Sequence, residues 1–258
     1  MLLAVDVGNS TTVIGVFRDD SLVQHWRLST VSRRTSDELA LMVSGLLGFA
    51  DLDFDHNVHG VVLGSVVPTM TETFREMCEQ YFPFPPVVVE PGVRTGIVLR
   101  HDNPRELGAD RIANAVAAHA LYGGPAIVVD FGTATSFDAV NAAGEFVGGA
   151  IAPGISTATD ALVEHTARLP TVETVAPPSP LGRSTVTALQ SGIVYGFAGQ
   201  VDGIITRIAN ELGPGVTTVA TGGLARAVRE ACQRIDHHDP WLTLKGLRLV
   251  WERNSASR

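Results

Sequence analysis

A buried strand that ends in an aspartate and a glycine turn occurs twice in this chain, and that recurrence limits the fold more than any other feature. Residues 2–12 read L-L-A-V-D-V-G-N-S-T-T, and residues 126–136 read A-I-V-V-D-F-G-T-A-T-S. Each copy begins as a short apolar run, which suits a central strand. Each delivers a carboxylate, Asp6 or Asp130, into a tight turn at Gly8 or Gly132. The hydroxyls of Ser10, Thr11, Thr12, Thr133, Thr135 and Ser136 follow at once. Backbone N–H groups and small hydroxyls around a glycine turn suit phosphate oxygens, and a carboxylate beside them suits a hydrated cation. Two such turns facing each other would clamp a nucleoside triphosphate.

The elements around each turn repeat in order. After the first turn come strands over 11–17 and 22–28. A helix follows, opened by the capping box Thr35-Ser36-Asp37-Glu38. A strand over 59–67, a helix over 69–82 and a strand over 87–90 complete the half. Asn103-Pro104-Arg105-Glu106 then reads as a helix start, with Asn103 as N-cap, and the helix runs to about Leu121. The second half gives strands over 126–129, 136–140 and 145–151, and helices over 156–168 and 185–212. A strand over 217–220 opens into Thr221-Gly222-Gly223, followed by helices over 224–234 and 242–252. The expected fold is α/β: two domains, a duplicated βββαβα, over residues 1–115 and 116–258 with a nucleotide cleft between them. Asp236-His237-His238-Asp239 resembles a metal cluster in composition, but a solvated turn before Pro240 fits it better.

Composition narrows the partners. The 258 residues are 45% hydrophobic, enough for a packed core, and carry 27 acidic against 19 basic residues for a net charge of −8. That balance argues against a nucleic-acid or anionic-membrane surface. Lys245 is the one lysine and follows no glycine-rich loop, so a Walker-type phosphate loop is excluded. Cys78 and Cys232 lie far apart, which implies neither a disulfide framework nor a zinc site. With no secretory leader and no spanning apolar run, a cytoplasmic protein is expected.

The motifs occur in the order of a known family. Residues 6–12, Gly108-Ala109-Asp110-Arg111, Asp130-Phe131-Gly132-Thr133, Gly148-Gly149-Ala150-Ile151-Ala152-Pro153-Gly154 and Thr221-Gly222-Gly223 together resemble the type III pantothenate kinases. These belong to the actin-like ATPase and sugar-kinase superfamily, and the resemblance makes the two expected domains actin-like (ribonuclease H-like). The Gly-Ala-Asp-Arg and Gly-Gly-x-Ile-x-Pro-Gly segments are the specific ones. The resemblance implies an ATP-dependent transfer of phosphate to pantothenate, the first step of coenzyme A synthesis. It assigns ATP to Asp6, Val7, Gly8, Asn9, Ser10, Thr11, Thr12 and Val13, with Thr133, Gly222 and Gly223. It makes Asp110 the general base, and gives substrate contacts to Gly108, Ala109, Arg111 and Thr185. His101 stands where the family often has a tyrosine against pantothenate; it reads either as a loop histidine or as a hydrogen-bonding replacement. Asp130 matches the site of an activating potassium or ammonium ion, and Asp6 would meet Mg2+ through water. A homodimer is implied, with the helix over 185–212 at its interface. Asp110, at a helix start beside Arg111, is expected to stay ionised. The rival readings are another small-molecule kinase of the superfamily, or a degenerate homologue that binds ligand or assists transcription.

Overall fold

The computed structural model describes residues 1–223 and 228–255. The chain forms two compact units, residues 1–117 with 243–258 and residues 118–242. Each is built on a mixed five-stranded sheet, so the α/β class holds.

In the first unit the strands are β1 (Leu2–Val7), β2 (Thr11–Arg18), β3 (Ser21–Ser29), β4 (Gly60–Ser65) and β5 (Val87–Val88). They lie in the order β3-β2-β1-β4-β5. β1 runs antiparallel to β2 and parallel to β4, with Asp6 opposite Val13 on one side and Gly64 on the other. Strand alternation decides the two faces. Leu3, Val5 and Val7 enter a core shared with Leu39, Val43 and Leu47 of α1 (Ser36–Gly48) and with Met70, Phe74 and Met77 of α3 (Pro68–Tyr81). A one-turn helix α2 (Phe54–Asn57) precedes β4. The box at α1 forms as expected, with Glu38 N–H donating to Thr35 Oγ1 at 3.3 Å and Thr35 N–H donating to Glu38 Oε2 at 2.9 Å.

The second unit repeats the plan with β6 (Ala126–Phe131), β7 (Ala134–Val140), β8 (Phe146–Pro153), β9 (Thr217–Thr221) and β10 (His237–His238), in the order β10-β9-β6-β7-β8. Ile127, Val129 and Phe131 share a core with Ile155 of α5 (Ile155–Glu164) and with Ile193, Val201 and Ile205 of α6 (Thr185–Leu212). β10 corrects the reading of residues 236–239 as a solvated turn. Asp236 N–H donates to Thr218 O at 3.1 Å, its Oδ2 accepts from Thr218 N–H at 2.8 Å, and Asp239 N–H donates to Ala220 O at 2.9 Å. Backbone pairing places the segment at the sheet edge, and a two-residue strand has no period to show in sequence. Part of the helix expected over 224–234 lies outside the described residues, as does the end of the chain beyond residue 255.

Two further expectations differ from the structure. The helix start at Asn103 is a separate 3-10 turn (Pro104–Glu106), followed by an extended Leu107; α4 (Ala109–Tyr122) starts afresh after Gly108. Leu107 is buried, and burying it pulls the chain out of the helical path. The last helix, α7 (Leu242–Ser255), was expected with the second half, but from Thr243 onward it groups with the first unit. Glycines open the space for it. A Cβ built on Gly15 would lie 2.7 Å from Leu244 Cδ1, on Gly64 2.8 Å from Leu247 Cδ2, and on Gly60 2.7 Å from Trp251 Nε1. Gly246 meets the backbone of Ala113 in α4 directly. Thr243 Oγ1 donates to the buried Asn114 Oδ1 at 2.8 Å, and Arg248 donates to Asp20 at 2.6 Å. Among the described residues, no helix is long and apolar enough to cross a membrane.

Because Gly246 touches backbone rather than a flexible side chain, a methyl there cannot be absorbed by rotamer changes. Gly246→Ala is expected to destabilise the protein by about 1–3 kcal/mol, the usual range for overpacking. Thermal unfolding monitored by circular dichroism should show a lowered Tm.

Candidate active site

In the first unit, Asp6 lies half-buried at the end of β1, on the sheet face opposite Val5 and Val7. The chain then turns through exposed Asn9, Ser10 and Thr11. Gly8 N–H donates to Thr11 O at 3.0 Å, so this donor is used up in closing the turn. Thr30 fixes the turn from the side: its Oγ1 donates to Gly8 O at 2.7 Å and its N–H donates to Ser10 O at 3.0 Å. Thr12, expected to face a ligand, is 3% exposed and has its hydroxyl 2.9 Å from that of Thr30. Val7 is buried in the core and Val13 is half-buried in β2. The exposed residues of this turn are therefore Asn9, Ser10 and Thr11.

The second unit's turn has the same construction with one residue fewer. Val7 pairs with Thr12 in the first, and Phe131 with Thr135 in the second. Gly132 N–H donates to Ala134 O at 3.0 Å, and Thr135 is buried, its hydroxyl without a hydrogen-bond partner. Asp130 is half-buried, while Gly132 and Thr133 are exposed. The start of α5 packs against this turn: Gly154 N–H donates to Thr133 O at 3.1 Å, and Thr157 Oγ1 donates to the same oxygen at 2.7 Å. Gly222 follows β9 with φ +91°, a backbone conformation that favours glycine. A Cβ there would lie 2.5 Å from Asp130 Oδ1 and 2.6 Å from Phe131 N, so glycine lets the two strand ends meet. Thr185, the first residue of α6, is exposed, as is Gly223.

The Gly108–Arg111 corner belongs to the first unit. Asp110 folds back so that its carboxylate fills the space a side chain at Gly108 would need. Its Oδ1 accepts from Arg111 N–H at 2.8 Å. Burial raises the Asp110 pKa above the ordinary aspartate value, against the lowering effects of the Arg111 N–H and guanidinium. Loss of water thus outweighs the helix start and the arginine in setting the direction of the shift. Val66 connects this corner to the first turn. Its N–H donates to Val7 O at 3.0 Å, and its Cγ1 lies 3.3 Å from a Cβ built on Gly108.

Beside the corner lies a cavity of ≈ 820 Å³, lined by Gly108, Ala109 and Ile112, by Val88 and Val89, and by the loop that includes Pro91, Val93, Thr95 and Ile97. His101, Asp110 and Arg111 are not among its lining residues. The His101 Nδ1 lies 3.0 Å from Asn103 O and 3.3 Å from Asn103 N, and so shapes the approach to the 3-10 turn. Thr30, Val66 and Thr157 act on the turns but were not foreseen. Each is a common residue at a strand or helix end, and its role depends on a partner far away in sequence.

The type III pantothenate kinase family matches residues 2–207. The chain is 55% identical over 255 residues to the type III pantothenate kinase of Acidothermus cellulolyticus, covering 98% of this chain and 99% of that one. It is 54% identical to that of Streptomyces coelicolor, with 98% of each covered. Among solved structures it is similar to component A of the (R)-2-hydroxyglutaryl-CoA dehydratase of Acidaminococcus fermentans, with a TM-score of 0.59, 15% identity, and 100% and 99% of the two chains covered. It is also similar to the inorganic polyphosphate/ATP-glucomannokinase of Arthrobacter sp. strain KM, with a TM-score of 0.52, 13% identity and the same coverage. At such identities these two speak for the fold alone. With the family match spanning most of the chain, and relatives more than half identical over nearly full length, the chain belongs to the type III pantothenate kinases.

Proposed function

We propose that this chain transfers the γ-phosphoryl group of ATP to the primary hydroxyl of pantothenate, opening coenzyme A synthesis in the cytoplasm. The observation that carries the reading is the half-buried Asp110 carboxylate, folded over Gly108, which itself lines an ≈ 820 Å³ cavity. Phosphoryl transfer needs positioned oxygens and neutralised charge more than covalent help from the protein. Asp110 accepts the hydroxyl proton as that oxygen attacks the γ-phosphorus and ADP leaves. A carboxylate with a raised pKa is a stronger base than one in water, which suits this task. Arg111 is the candidate partner for the pantothenate carboxylate, since a guanidinium can pair with it bidentately. Thr185 and His101 are further candidates for substrate contact.

The exposed donors of residues 9–11 and of Thr133 are assigned to the phosphates, and Gly222 and Gly223 to the nucleoside. Among the described residues, no three His, Cys, Asp or Glu side chains gather as a metal-ligand set. The fitting arrangement is therefore Mg2+ held by phosphate oxygens and water, with Asp6 as the carboxylate beyond the water. When bound, Mg2+ would neutralise charge on the transferring phosphate. Asp130 is the candidate carboxylate for a monovalent cation, potassium or ammonium. A homodimer through α6 is supported by Gly192, Gly196 and Gly199, where a built Cβ meets nothing within 4 Å. Light scattering should give twice the mass of one chain.

The purified protein is expected to phosphorylate pantothenate with MgATP, read by coupled ADP release and by mass spectrometry of the product. Binding of nucleotide without turnover would favour the degenerate homologue, and turnover on sugars alone would favour another kinase. Potassium should raise the rate relative to sodium, and Asp130→Asn should abolish that difference.

Asp110→Asn should lower kcat by about 10²–10⁴-fold, the range for a lost general base. The wild-type kcat/KM should fall on the acid side with an apparent pKa above the ordinary aspartate value of about 3.9. The sign for stability is opposite to that for activity. A carboxyl whose folded pKa is raised stabilises the protein below its unfolded pKa, and this contribution is lost as pH rises through the folded pKa. At pH 7.5 Asp110→Asn should therefore melt at or above the wild-type Tm.

A further inference from the structure

One wall of the cavity beside Asp110 is a loop, and the end of the chain holds that loop in place. Residues Pro91, Gly92, Val93, Thr95 and Ile97 line the cavity. Val93 N–H donates to Glu90 O at 3.1 Å, and the loop passes through Gly92 at φ +105° and Gly96 at φ +83°. At its middle, Arg94 is paired with Asn254, 160 residues away, near the end of α7. Arg94 N–H donates to Asn254 Oδ1 at 3.2 Å, and Asn254 Nδ2 donates to Arg94 O at 3.0 Å. A carboxamide presents one donor and one acceptor side by side, as a peptide does, so Asn254 pairs with Arg94 as a neighbouring strand would.

The anchor is itself fixed. Asn254 Nδ2 also donates to Val250 O at 2.7 Å, and Arg253 donates to Leu249 O at 3.1 Å. The Arg253 side chain covers Gly96: a Cβ there would lie 2.7 Å from Arg253 Cδ. Asn254 and Arg253 thus hold the loop at two neighbouring points.

We propose that Asn254 is a positioning residue for the acceptor substrate: its amide sets the backbone of Arg94, and so the position of the cavity wall that faces Gly108 and Ala109. This rests on reading the cavity as the acceptor's end of the site. Asn254 acts through the loop and not on the reacting atoms. Its loss should therefore weaken binding of the acceptor in ground and transition state alike, which raises KM and leaves kcat unchanged.

The test uses the full-length protein with Asn254→Ala. The KM for pantothenate is expected to rise by about tenfold, with kcat and the KM for ATP within about twofold of wild type. Hydrogen exchange should show faster exchange of the Arg94 amide in the variant, a readout independent of turnover. Gly96→Ala meets the same clamp from the loop side and should give the same pattern; it also serves if Asn254→Ala does not fold. An unchanged pantothenate KM in both variants overturns the inference. So does an equal rise in the ATP KM with a fall in kcat, which would mark a general structural role. Wild-type protein that turns over no pantothenate overturns the functional reading itself, and is separated from failure of the clamp by that control.

Discussion

Strand alternation at β1 and β6 is the constraint on which the site rests. Leu3, Val5 and Val7 commit one face of the first sheet to its core, and Ile127, Val129 and Phe131 do the same in the second. A strand has a side-chain period of two, so Asp6 and Asp130 must point to the other face. Neither carboxylate could move to the core side without a register slip that would take the apolar set out of its core. The chemistry at the turns is thus fixed by the same contacts that hold each unit together.

The turns are narrow because their components bond to one another. Gly8 and Gly132 spend their N–H groups inside the turns, and Thr12 and Thr135 are turned inward at equivalent register positions. That leaves a few exposed donors around each glycine, suited to oxygen-rich ligands. The partners differ between the copies. Thr30 stabilises the first turn from the end of β3, whereas the start of α5 stabilises the second.

The Gly108 corner shows how packing sets reactivity. Glycine leaves room for the Asp110 carboxylate to fold inward, and burial there raises its pKa despite an adjacent arginine. A larger residue at position 108 would push the carboxylate toward water, where it would be a weaker base. The corner joins the first turn through Val66 and packs near α7 through Gly64 and Gly246. The C-terminal helix is in this way part of the site's support.

The sequence by itself determined the strand–Asp–Gly turns, the capping box that starts α1, and the Gly-Ala-Asp-Arg segment. Each is written in neighbouring residues, through side-chain period, turn chemistry and local hydrogen bonds. It also carried the family, because these segments occur in a set order. Only the tertiary structure decided that Thr12 faces Thr30, that residues 236–239 pair as an edge strand, that α7 joins the first unit, and that burial outweighs Arg111 at Asp110. Each of these depends on atoms brought together from distant parts of the chain. Desolvation in particular is a property of the surroundings, and no local pattern of residues records how much water a side chain will lose.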